Sequence, residues 1–138
     1  MEASYTLVEA NRLLPLVTAI AGELTERRDE QRKLQRLHLE LEQARTNEGV
    51  SIALYDLDSR LFEIELGLKQ VRKEFALLGL HILRVSPLTI HIPGNTQQGP
   101  VVFCWQEGES RVCHGHALGE EENPRRPLRV RASSPGQA

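Results

Sequence analysis

The stretch Leu54-Tyr55-Asp56-Leu57-Asp58-Ser59-Arg60-Leu61-Phe62-Glu63-Ile64-Glu65-Leu66-Gly67-Leu68-Lys69-Gln70-Val71-Arg72-Lys73-Glu74-Phe75-Ala76-Leu77-Leu78 decides the fold. Within it Leu54, Leu57, Leu61, Ile64, Leu68, Val71, Phe75 and Leu78 recur in strict alternation of three and four. That period places one apolar seam on a helix, and its persistence over about three and a half heptads predicts coiled-coil-like packing. Gly79 follows where a helix stop belongs.

On the N-terminal side, Thr46-Asn47-Glu48-Gly49 reads as a break. Before it lies a second long helical run, with apolar residues at Leu13, Val17, Ile20, Leu24, Leu34, Leu37 and Leu41. Between Leu24 and Leu34 the seam passes through Arg27 and Gln31, a polar layer. A short break between long helices makes them antiparallel neighbours. Folding there sets Leu57 near Leu37, Leu61 near Leu34, Ile64 near Gln31 and Val71 near Leu24, in a hairpin roughly 40 Å long. Thr6 and Glu9 have capping-box spacing, which predicts a short N-terminal helix that kinks or restarts at Pro15.

Past Gly79 the period shortens towards two. Leu80–Pro87 reads as a connector, Leu88–Ile92 as a half-buried strand, and Val101–Gln106 as a strand rich in β-branched and aromatic residues. With Gly108-Glu109 as a two-residue turn, Arg111–His114 returns antiparallel. Trp105 then faces Val112, Cys104 faces Cys113, and Phe103 faces His114. One face collects Ile90, Ile92, Val101, Phe103, Trp105 and Val112; the other collects His91, Cys104, Gln106, Arg111 and Cys113. The expectation is an α+β fold: a long antiparallel two-helix hairpin with a short N-terminal helix, capped by a small antiparallel sheet of about three strands. It forms a single domain over residues 1–131, with the hairpin at 5–79 and the sheet at 88–116, and a flexible tail at 132–138.

Composition narrows the function classes. Seventeen Lys+Arg against nineteen Asp+Glu give a net charge of −2, which argues against a dedicated nucleic-acid binder. No apolar run reaches the roughly 20 residues of a membrane span, and Met1-Glu2-Ala3-Ser4 lacks the features of a secretion signal. Two cysteines are too few for a secreted disulfide scaffold, so a cytoplasmic location is expected.

Two clusters carry chemistry. His114 and His116 project to one side of a strand end, and with His91 and Glu109 they form a candidate site for a divalent transition metal. Cys104 and Cys113, opposed across the expected hairpin, form a candidate redox pair. The helical carboxylates lack the Glu-x-x-His pattern of di-iron bundles, since Gln35 stands three residues before His38. No phosphate loop, nucleophile elbow or complete triad is present in the sequence, so an enzyme is not the favoured reading.

Thr6-Leu7-Val8-Glu9-Ala10-Asn11-Arg12-Leu13-Leu14-Pro15 resembles the opening signature of the prokaryotic family catalogued as domain of unknown function 2203. Val101–Glu109 is similar to its "VyLCWrlGE" block, Val112–His116 to its "I-x-x-W-H" stretch, and Arg125, Pro127 and Leu128 to its "R-x-P-L" ending. The resemblance implies that the family's polar signature falls here on His91, Glu109, His116 and Arg125, a set suited to a metal or an anion. His91 stands where the family has Asp, Gly115 where it has Trp, and Glu122-Asn123-Pro124 where it has an aromatic and small residues.

Two functions follow as expectations. The first is a non-enzymatic interaction module whose helical seam (Leu54, Leu57, Leu61, Ile64, Leu68, Val71, Phe75) supports a homodimer or a helical partner. The second is a small metal-binding protein using His91, Glu109, His114 and His116 at the sheet margin.

Overall fold

Thr6 starts the first helix as its spacing predicts. The Thr6 amide donates to Glu9 Oε1 at 2.9 Å and the Glu9 amide donates to Thr6 Oγ1 at 3.1 Å, a complete capping box. In this computed structural model, which describes residues 4–44, 48–117 and 126–127, helix α1 then runs unbroken from Leu7 to Ala44. The short N-terminal helix is therefore not a separate element, because Pro15 lies inside α1. Proline removes one donor, the one that would reach the Asn11 carbonyl, and the Asn11 side chain has a long-range role described below.

Helix α2 spans Glu48–Leu77, so the break is shorter than expected and Gly49 is helical. Its end is a Schellman motif: the Leu80 amide donates to the Phe75 carbonyl at 3.0 Å and the Gly79 amide to the Ala76 carbonyl at 2.9 Å. Gly79 supplies the required positive φ of 77°.

The chain divides into two compact units. One comprises Ala19–Glu74, and the other the residues up to Thr18 together with those from Phe75 onward. The boundaries thus fall within the helices, not between hairpin and sheet. In the helical unit the seam turns inward: Leu24 and Leu34 of α1 and Leu57, Ile64, Leu68 and Val71 of α2 are buried, while Leu54 and Leu61 are half-buried. Each fully buried aliphatic side chain contributes about 1.5–3 kcal/mol. Cross-helix contacts fix the antiparallel alignment within a residue or so of the expected one. Gln31 Nε2 donates to Glu65 Oε1 at 2.8 Å, and His38 Nε2 lies 2.8 Å from Asp58 Oδ1. The polar layer is present: Arg27 pairs with Glu23 at 2.8 Å, and its guanidinium packs where a side chain at Gly67 would otherwise stand. Beyond that layer the seam shifts by one residue, so His38 faces α2 and Leu37 is exposed.

In the other unit, β1 (His81–Val85), β2 (Leu88–Thr96), β3 (Gly99–Gln106), β4 (His114–Ala117) and the two-residue β5 (Arg126–Pro127) form one antiparallel sheet in chain order. Four strands of at least four residues thus replace the expected three. The additional one, β1, lies in the segment that reads as a connector. Its register shifts between Ile82 and Arg84, and such a bulge erases the period-two signal by which strands are recognised. Tyr5 extends the sheet beside Gly94: its amide donates to the Pro93 carbonyl and its carbonyl accepts from the Asn95 amide, both at 2.9 Å. The apolar face expected for β2 and β3 is present, with Ile90, Ile92, Phe103 and Trp105 buried. Arg125 and residues 132–138 lie outside the described residues.

Candidate functional site

The position of the histidines follows from how the chain leaves β3. A tight turn closes at Gln106-Glu107-Gly108-Glu109, where the Glu109 amide donates to the Gln106 carbonyl at 3.0 Å. Gly108 has φ 104° and occupies the second central position of this turn, not the first. Glu109 then prevents an immediate return. Its Oε1 accepts from the Gln106 amide at 2.8 Å, and its carbonyl accepts from Trp105 Nε1 at 3.0 Å.

The backbone of Val112 is likewise occupied. Its amide donates to Asn11 Oδ1 at 2.7 Å, and its carbonyl accepts from Asn11 Nδ2 at 3.3 Å. One carboxamide thus offers Val112 the donor and acceptor of a neighbouring strand. The expected hairpin strand at Arg111–His114 does not form, and the ladder starts at His114.

The register is displaced by one residue as a result. Cys104 faces His114, Phe103 faces Gly115 and Val102 faces His116, instead of Cys104 with Cys113 and Phe103 with His114. A one-residue slip exchanges the faces of a strand. His114 and His116 therefore join the face of His91 and Cys104, and Cys113 leaves it. Neither cysteine is in a disulfide, Cys104 is buried and Cys113 half-buried, and Cys104 lies opposite His114 in place of Cys113.

Across β1 to β4 one transverse row reads His81, His91, Cys104, His114, each facing the next. His81 was missed in the sequence because its strand was missed. Two residues along β4 from His114, the His116 ring meets that of His91 edge to face, with centroids 5.2 Å apart, and the Nε2 atoms of both are buried. A second grouping surrounds His114: its Nδ1 lies 3.5 Å from Glu109 Oε2 and 3.5 Å from Cys113 Sγ. Carboxylate and thiol share the same ring nitrogen, so the imidazole cannot take the thiol proton on one nitrogen while the acid orients the other, as nucleophilic catalysis requires.

The proposed metal donors thus fall into two pairs, His91 with His116 and Glu109 with His114. Among the described residues no three His, Cys, Asp or Glu side chains are placed to hold one ion. Also among the described residues, no helix is long and apolar enough to cross a membrane.

The helical unit offers a different surface, which the sequence reading overlooked. Ile52, Tyr55, Phe62 and Leu66 of α2 are 66%, 72%, 65% and 50% exposed. With Ser59 they recur at spacings of three and four, forming a second stripe opposite the buried seam. The signal was present, but the stronger inward seam of the same helix masked it.

Replacing Asn11 tests the clasp on Val112. Asn11→Ala leaves a buried residue's amide and carbonyl without their partners and is expected to cost about 1–3 kcal/mol in urea unfolding. Asn11→Asp keeps the acceptor and is expected to fall between alanine and the parent chain. An Asn11→Ala chain as stable as the parent would contradict the account of the register.

The chain matches no curated protein and no solved structure at a significant level. The family described as Uncharacterized conserved protein (DUF2203) matches residues 4–128, spanning the helices and the sheet. The chain therefore belongs to the DUF2203 family.

Proposed function

We propose that this protein is a non-enzymatic interaction module in which the helical hairpin serves as scaffold and the outward stripe of α2 as docking surface. The observation that carries this reading is the exposure of Tyr55 and Phe62, at 72% and 65%, beside Ile52 and Leu66 on one helical face. An exposed apolar stripe with two aromatic rings, bordered by charge, is typical of a protein-binding surface, where aromatic anchors carry much of the affinity. The seam of Leu54, Leu57, Leu61, Ile64, Leu68, Val71 and Phe75 supports that role from within, by holding α2 rigid. Substituting Phe62→Ser with Leu66→Ser is expected to abolish binding of a protein partner, a second copy included, and to leave the thermal midpoint within about 2–4 °C of the parent. Unchanged association in this double variant, read by sedimentation and by affinity capture, would overturn the reading.

A second reading is favoured by the edge-to-face approach of His91 and His116 at 5.2 Å. The pair supplies two imidazole donors for a divalent transition metal, with the remaining coordination positions left to solvent. Elemental mass spectrometry of untagged protein, after incubation with zinc, is expected to find about one ion per chain. His116→Ala is expected to lose that ion. A blank in the parent chain, or equal loading in the variant, would sink this reading.

A further inference from the structure

The exposed side of α2 changes sign along its length. Between Ser51 and Leu66 lie Asp56, Asp58, Glu63 and Glu65 with one cation, Arg60; between Gly67 and Glu74 lie Lys69, Arg72 and Lys73 with one acid, Glu74. Asp58 and Glu65 turn towards α1, where they meet His38 and Gln31. Asp56, Glu63, Lys69 and Lys73 are exposed and make no ion pair among the described residues. At 100° per residue, Ile52, Tyr55, Ser59, Phe62, Leu66, Lys69 and Lys73 fall within a sector of about 100°. One continuous face is therefore apolar and acid-bordered over its first half and cationic over its second.

From this arrangement we infer that the outward face of α2 docks the same face of a second copy of the chain, with the two helices antiparallel about a two-fold axis near Ile64. The inference rests on the interaction reading and names its partner. A two-fold pairing is self-complementary, since each residue meets its counterpart's partner in both directions. About that axis Phe62 lies against the partner's Leu66 and Ser59 against the partner's Lys69. Tyr55 lies along the aliphatic stem of the partner's Lys73, an amphipathic side chain that covers a ring while its ammonium stays in water. Asp56 stands level with the partner's Arg72, within a turn of the partner's Lys69 and Lys73. At the axis itself Glu63 lies near the partner's Glu63 and the partner's Glu65, but the outer turns set acid against base, whereas an in-register parallel pairing would lay acid on acid and base on base along the whole face. Charge of this kind selects orientation and rejects wrong partners more than it adds affinity, so it acts here as a filter on what the apolar stripe binds.

The test uses the full chain and two charge-reversed forms, one carrying Lys69→Glu with Lys73→Glu, the other Asp56→Lys with Glu63→Lys. Sedimentation equilibrium is expected to find the parent dimeric and each reversed form weakened in self-association by about tenfold or more. An equimolar mixture is expected to restore a one-to-one heterodimer, which two misfolded chains could not do. A parent chain that stays monomeric at the highest attainable concentration overturns the inference, as does a dimer indifferent to both reversals. If that monomer still binds another polypeptide in a manner dependent on Phe62, the two-fold pairing falls and the interaction reading stands. If it binds none, both fall.

Discussion

The inward burial of one stripe on α2 is the constraint from which the helical unit follows. Leu57, Ile64, Leu68 and Val71 pack towards α1, where Leu24 and Leu34 are buried in turn. A helix has room for one such stripe towards a single neighbour, and whatever apolar residues lie on its far side remain for solvent or for another molecule. Here the far side carries Ile52, Tyr55, Phe62 and Leu66. The polar layer of Arg27 and Gln31 fits the same scheme. Gln31 reaches Glu65, and Gly67 leaves space for the Arg27 guanidinium. The layer thus fixes which residues of the two helices lie opposite, much as isolated polar positions fix register in coiled coils.

In the sheet unit the corresponding determinant is a single carboxamide. By occupying the amide and carbonyl of Val112, Asn11 holds the chain out of the ladder until His114. That offset gathers His91, Cys104, His114 and His116 on one face and separates the cysteines. A helix residue near the N-terminus thereby sets which side chains the sheet presents 101 positions later. The DUF2203 pattern reaches both partners, since the match covers residues 4–128.

Features encoded within a few residues of each other were legible in the sequence. The Thr6–Glu9 capping box, the Gly79 helix stop, the seam of α2 and the inward face of β2 and β3 each depend on neighbours in the chain. Features set at long range were not. The ladder register depends on Asn11, which no local pattern links to Val112. Strand β1 is interrupted by a bulge, so Ile82-Leu83-Arg84-Val85 shows no alternation, and His81 was lost with it. Pro15 suggested a break, yet α1 continues through it to Ala44. In the candidate docking surface, the outward stripe shares its period with the inward seam, so both residue sets were on view and only one was recognised.

The central claim is that α2 pairs with α2 of a second copy, antiparallel, through its outward face. Dipolar electron resonance on nitroxides placed singly at Ser51 and at Gln70, with Cys113 replaced by alanine, tests it most directly. At 1.5 Å per helical residue, a two-fold axis near Ile64 predicts separations between copies of about 40 Å for Ser51 and about 20 Å for Gln70. Equal short separations at both positions would mean a parallel pairing, and the absence of any coupling would mean no pairing through this face; either result contradicts the account.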